Sequence, residues 1–153
     1  MSDLRELYQE MILDHGRNPR HHHTMPLANR SANGFNQFCG DRLTVYLKIE
    51  QEKITAISFE GSGCAISMAS ASLMSEILTG KTLNQAEALF ASFHQLLTSE
   101  ATTPEQLYDL EKLAVFAGVK AYPARVKCAT LAWHTLQAAL KQNNELVVST
   151  EHQ

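Results

Sequence analysis

Between residues 43 and 49 the aliphatic side chains keep to every second position, a period that only an extended chain with one buried face can use. Leu43, Val45, Leu47 and Ile49 alternate with Arg42, Thr44, Tyr46 and Lys48. The alternation continues at Thr55, Ile57 and Phe59, after the polar turn from Glu50 to Lys53. Two such runs joined by a short polar turn predict an antiparallel hairpin. The rest of the chain must cover its apolar face.

Upstream the spacing is helical, with Leu4, Leu7, Met11 and Ile12 on one face of a helix from about Asp3 to Asp14. The polar, proline-bearing stretch from His15 to Gln37 reads as an irregular loop. Four helices are expected after the hairpin. The first runs from about Ala65 to Thr79, with Ile66, Ala69, Leu73, Ile77 and Leu78 inward and Gly80 as its stop. The second opens on Thr82 and Gln85, the spacing of a capping box, and buries Leu83, Ala86, Leu89, Phe93 and Leu96. The third opens at Thr103, Pro104 and Gln106 and ends near Gly118, and the fourth runs from about Pro123 to Lys141. Strands followed by helices indicate the α+β class, a small antiparallel sheet packed against several α-helices. With no repeat or linker, residues 1–153 are expected to form one domain.

A net charge of -3 and the absence of a basic stripe argue against a nucleic-acid or anionic-membrane partner. No apolar run approaches the ~18 residues of a membrane span. Asp3, Arg5, Glu6 and Glu10 deny the first ten residues the character of a signal peptide. A cytoplasmic protein is expected.

Cys39, Cys64 and Cys128 cannot all pair within one chain, and in a reducing compartment such cysteines are buried, ligating or reactive. The hairpin relates two of them. With Glu50 facing Lys53, and a margin of one residue, Cys39 falls opposite one of residues 63–65, beside Cys64. Directly opposed residues have Cα atoms about 4.5–5.5 Å apart. Asp41, two positions after Cys39, leaves the same face. The neighbouring Gly40, Gly61 and Gly63 would let backbone N–H groups approach a sulfur closely. Cys64 opens a predicted helix, whose positive end favours a thiolate. Cys128 lies near the start of another, with Arg125 and Lys127 close by. On these residues alone, a shared three-cysteine site and three separate core thiols both stand.

Three segments tip the balance: Cys39-Gly40-Asp41; Gly61-Ser62-Gly63-Cys64-Ala65-Ile66-Ser67 with Ala69-Ser70-Ala71-Ser72; and Ala124-Arg125-Val126-Lys127-Cys128. Together they resemble the IscU/SufU (NifU N-terminal) iron–sulfur assembly family, as do Tyr8, Asp14-His15 and Asn18-Pro19-Arg20 near the start. The similarity runs from about Leu4 to Leu140 and implies a SufE/NifU-like fold. Two features resemble the SufU branch: Lys127 stands where IscU-type members carry histidine, and about 100–118 fits a SufU-type insertion. One departs from the family, which usually has Asn-Pro before its CGD; here Asn36 is followed by Gln37 and Phe38.

The resemblance implies a metal site of Cys39, Asp41, Cys64 and Cys128. Three thiolates and a carboxylate suit tetrahedral zinc, and the same thiolates can hold a transient [2Fe–2S] cluster. It further implies that Cys39 accepts persulfide sulfur from a cysteine desulfurase, with zinc keeping the thiol deprotonated yet masked and Asp41 as the exchangeable ligand. Arg125 and Lys127 would orient ligands or stabilise thiolate charge, and downstream iron–sulfur proteins would receive the product. The expected protein is a scaffold and sulfur acceptor, at most a zinc-dependent sulfurtransferase. A ferredoxin-like carrier would show clustered C-x₂-C cysteines, and a purely structural zinc site would favour four Cys/His ligands. His21, His22 and His23 read as solvated, His94 and His134 as surface or satisfied helix positions, and Trp133 as core.

Overall fold

The computed structural model describes residues 2–36, 40–99, 110–141 and 147–149. Along the chain run α1 (Ser2–Arg17), β1 (Arg30–Asn36), β2 (Asp41–Glu50), β3 (Lys53–Ser62), α2 (Ala65–Leu78) and α3 (Leu83–Thr98). A 3-10 stretch (Glu111–Ala121), α4 (Pro123–Leu140) and a short β4 (Val147–Ser149) follow. The strands form one sheet in the order β3-β2-β1-β4, antiparallel except that β4 lies parallel to β1.

The hairpin is β2–β3. Gln51 and Glu52 both adopt positive φ (52° and 62°), the backbone a two-residue hairpin turn requires. Glu50 faces Lys53, an irregular step at Lys48/Ile49 moves the register by one residue, and the ladder then runs to Arg42 opposite Ser62. Leu43, Val45, Leu47, Ile57 and Phe59 are buried as the alternation requires, but beyond the irregular step Ile49 is only half-buried, Thr55 is exposed, and Ile54 is buried in its place.

The expected loop from His15 to Gln37 is corrected at both ends. Helix α1 continues to Arg17, and Arg30–Asn36 is a strand paired with β2 from Arg30 opposite Leu47 to Asn36 opposite Asp41. Its buried positions are Ala32, Gly34 and Asn36, which are small or polar, so the strand has no hydrophobic period to read. The expected third helix is corrected as well: residues 103–109 lie outside the described ones, and Glu111–Ala121 winds as 3-10 helix, far longer than the usual three or four residues.

The middle of helix α2 is enclosed on all sides, with every residue from Ser67 to Ser75 buried. A buried hydroxyl needs a partner; two serines use theirs to fasten neighbours and a third bonds back within the helix. Ser70 Oγ donates to the Ala129 carbonyl (2.5 Å) and accepts from Trp133 Nε1 (3.1 Å), which seats α4. Ser72 Oγ accepts from the Arg20 amide (2.8 Å) and shares a hydrogen bond with Nδ1 of buried His15 (2.7 Å), so seating α1. Ser75 donates to the Ser72 carbonyl at 2.7 Å. The small-residue run thus allows close packing, and its hydroxyls fix the packing.

The capping box at α3 forms as expected: Gln85 N–H donates to Thr82 Oγ1 (3.1 Å) and Thr82 N–H to Gln85 Oε1 (2.9 Å). Ala86, Phe93 and Leu96 are buried, while Leu83 and Leu89 are only partly so. Trp133 is core, its ring centroid 5.1 Å from that of Phe93. His94 is exposed, whereas His134 is half-buried, edge-on to Phe90 at 5.1 Å, with no hydrogen-bond partner at Nε2 among the described residues. Burial, then the neighbouring His94, lowers the His134 pKa from 6.5 to about 4. Below pH 6.5 the unfolded chain therefore takes up a proton that the folded chain refuses until about pH 4. Stability is expected to fall across that window, and His134→Gln to flatten the slope. Urea midpoints measured from pH 7 to 4 check this; parallel curves would contradict it.

Candidate metal centre

Asp41 opens β2 with its side chain fully buried. Its Oδ1 accepts the Cys64 backbone N–H at 2.8 Å, and its Oδ2 lies 3.8 Å from Cys64 Sγ. Cys64 is the N-cap of α2, in extended backbone (φ -69°, ψ 166°), and its sulfur accepts the Ser67 N–H at 3.4 Å. A cap position is where a helix leaves backbone donors unspent, so Cys64, between the end of β3 and the first turn of α2, is offered those donors as a sulfur ligand. Cys128 comes from α4, 2% exposed, and the Asn36 amide Nδ2 stands 3.9 Å from its sulfur.

One ligand atom each from Asp41, Cys64 and Cys128 lies within 4.8 Å of the others. Tetrahedral zinc with bonds of about 2.0–2.3 Å holds its ligand atoms roughly 3.5–3.8 Å apart. The 3.8 Å between Cys64 sulfur and Asp41 oxygen already meets that spacing, and small side-chain rotations close the rest. The donor set fits zinc.

The electrostatics favour a thiolate at Cys64. Its pKa is drawn from 9.0 to about 7, chiefly by the hydrogen bond from Cys128 and further by the Ser67 and Ile66 amides. Burial and the Asp41 charge push the other way and are outweighed. The helix-start argument from sequence therefore holds, with a second cysteine adding more than the helix end does.

The glycines serve differently from expectation. A Cβ on Gly63 would lie 2.5 Å from Asp41 Oδ1 and 2.9 Å from its Cγ, so its bare Cα makes room for the carboxylate rather than for a sulfur. Gly61 sits at φ +127°, a conformation closed to other residues, with the Arg42 carbonyl where a Cβ would go.

Of the residues expected from sequence, Asp41, Cys64 and Cys128 come together, and Cys39 lies outside the described residues. The exposed Arg125 places its guanidinium 4.5 Å over the Tyr122 ring, and Lys127 is half-buried. The histidine run is exposed, but His22 stacks on Phe59 at 5.0 Å and bonds the Gly61 carbonyl at 3.2 Å. Asn36 is a member of the site that the sequence did not assign to it; a polar residue in an unread strand gave one signal, its place three residues before Cys39, where the resembling family carries the asparagine of its Asn-Pro.

The NifU-like N terminal domain family model matches residues 7–129. The chain is 34% identical over 143 residues to an iron–sulfur cluster assembly scaffold protein IscU of Streptococcus pyogenes serotype M1, covering 94% of this chain and 88% of that one. It is 35% identical over 138 residues to the zinc-dependent sulfurtransferase SufU of Bacillus subtilis (strain 168), covering 89% and 90%. Among solved structures, a proposed iron–sulfur cluster assembly scaffold for the SUF system from Fervidobacterium islandicum AW-1 superposes with a TM-score of 0.78 at 35% identity, over 86% of this chain and 94% of that one.

Proposed function

The chain belongs to the NifU-like N-terminal domain family, which includes IscU and SufU iron–sulfur assembly proteins, and from that premise we propose that it takes sulfur from a cysteine desulfurase and passes it into cluster assembly. The observation that carries this reading is the gathering of Asp41, Cys64 and Cys128 from three parts of the chain into one pocket. Cys39, two residues before Asp41, is proposed as the fourth ligand and the sulfur acceptor. The protein acts in the cytoplasm as a stoichiometric acceptor and scaffold, handing its product to downstream iron–sulfur proteins.

Zinc in the pocket would keep its thiolates deprotonated and shield them from stray electrophiles. The chain's own groups do the rest. Asp41 brings a hard oxygen donor that exchanges more readily than a thiolate, and its grip on the Cys64 N–H holds the β3–α2 junction closed. The Cys39 thiolate attacks the outer sulfur of the desulfurase persulfide. A new S–S bond forms at Cys39, the desulfurase cysteine leaves as a thiolate, and no electrons are gained or lost overall. A [2Fe–2S] cluster held by the same thiolates would be cargo on its way to an acceptor. Lys127 and the stretch 100–118, both similar to the SufU branch, support relay as the main task, with Arg125 and Lys127 guiding ligand charge.

Incubation with a cysteine desulfurase, cysteine and no reductant is expected to add one sulfur atom at Cys39, located by mass spectrometry of peptides. Labelling of Cys64 or Cys128 instead, or of none, would overturn the assignment.

A further inference from the structure

We infer that Asn36 is a positioning residue of the metal centre: its side-chain amide donates to the Cys128 sulfur, holds it on the ligand set, and so sets how tightly zinc is retained. The inference rests on the reading of Asp41, Cys64 and Cys128 as zinc ligands. Asn36 is fully buried, an expensive place for an amide unless its donors are used. Its Nδ2 lies 3.9 Å from Cys128 Sγ, within reach of a sulfur acceptor. In the β1–β2 ladder Asn36 stands directly opposite Asp41, so donor and carboxylate leave the sheet on one face and reach the pocket together.

The two sulfurs differ in what their own helices offer. Cys64 caps α2 and draws a backbone N–H. Cys128 lies just past the first turn of α4, where backbone N–H groups are already spent on i→i−4 bonds. Asn36 on β1 supplies a side-chain donor there. The choice of amide over acid also follows: a carboxylate at 36 would face Asp41 across the ladder and offer no proton to a thiolate. Partners that orient metal ligands in this way typically matter ten- to a hundredfold in affinity, by order of magnitude.

The test uses the full chain with Asn36→Leu, which keeps the branched heavy-atom skeleton and removes the donor, and Asn36→Asp, which replaces it with a charge. Zinc affinity is read by competition with a chromophoric chelator, and the thiolate-to-metal absorption by loading cobalt. Both folded variants are expected to lose roughly ten- to a hundredfold in zinc affinity and to shift the cobalt band. Unchanged affinity and band in either folded variant overturn the inference. Should neither fold, the side-chain amide resonances of Asn36 in the unaltered protein decide: they are expected to move on zinc addition, and static resonances overturn it. If the unaltered protein binds no zinc, the reading of the centre itself fails; if it binds normally and the variants match it, Asn36 alone is wrongly assigned.

Discussion

Asp41→Ala is expected to weaken zinc retention by more than about a hundredfold, because it removes a ligand rather than a neighbour of one. It also strips the Cys64 N–H of the carboxylate that accepts it at 2.8 Å, a loss of about 1–2 kcal/mol in stability. Asp41→Asn separates the two effects: its amide oxygen still accepts that N–H, so the fold should hold while zinc affinity falls. The thiol responds in the opposite sense to the metal. The Asp41 charge raises the Cys64 pKa, so removing it takes the thiol lower than about 7. Metal-free Asp41→Asn should therefore alkylate at Cys64 faster than the parent between pH 6 and 7, while holding zinc more weakly. Chelator competition and the pH profile of alkylation check the pair. Undiminished zinc retention in both variants would remove Asp41 from the ligand set.

The sequence announces the parts of this molecule whose signal is apolar or is a cap. The β2–β3 hairpin shows because Leu43, Val45 and Leu47 face one way at every second residue, and α3 shows because Thr82 and Gln85 satisfy each other's backbone. Strand β1 stays silent, since Ala32, Gly34 and Asn36 are buried by contact with β2 and α4 rather than by their own hydrophobicity. Strand β4 is three residues long and exists only as a neighbour of β1, so no local period could reveal it. At the metal centre the hairpin register was enough to bring Asp41 to Cys64. The arrival of Cys128 depends on how α4 packs, through Ser70 and Ala129, which no spacing encodes; there the similarity of the Cys128 segment to known assembly proteins carried the reading. Asn36 was hidden twice, in an unread strand and as a polar side chain turned inward.

Gly63→Ala places one methyl group where the Asp41 carboxylate stands. Gly63 is not among the glycines with positive φ, so the backbone accepts alanine and the effect is one of space alone. The new carbon would lie 2.5 Å from Oδ1 and 2.9 Å from Cγ, closer than atoms pack. The carboxylate has to turn away from the Cys64 N–H, or the β3–α2 junction has to shift. Either movement separates Asp41 from Cys64, so the substitution should cost about 1–3 kcal/mol of stability and some ten- to a hundredfold in zinc affinity, though residue 63 offers no ligand atom. Gly61→Ala is the control. Its strain lies in the φ of +127° and against the Arg42 and Leu43 backbone rather than against the carboxylate group itself. It should lower the unfolding midpoint while the molecules that remain folded bind zinc as the parent does. Equal zinc affinity in the parent and both variants would mean that the room beside Asp41 is incidental; loss confined to Gly63→Ala would mean that a residue with no side chain sets the position of the carboxylate ligand.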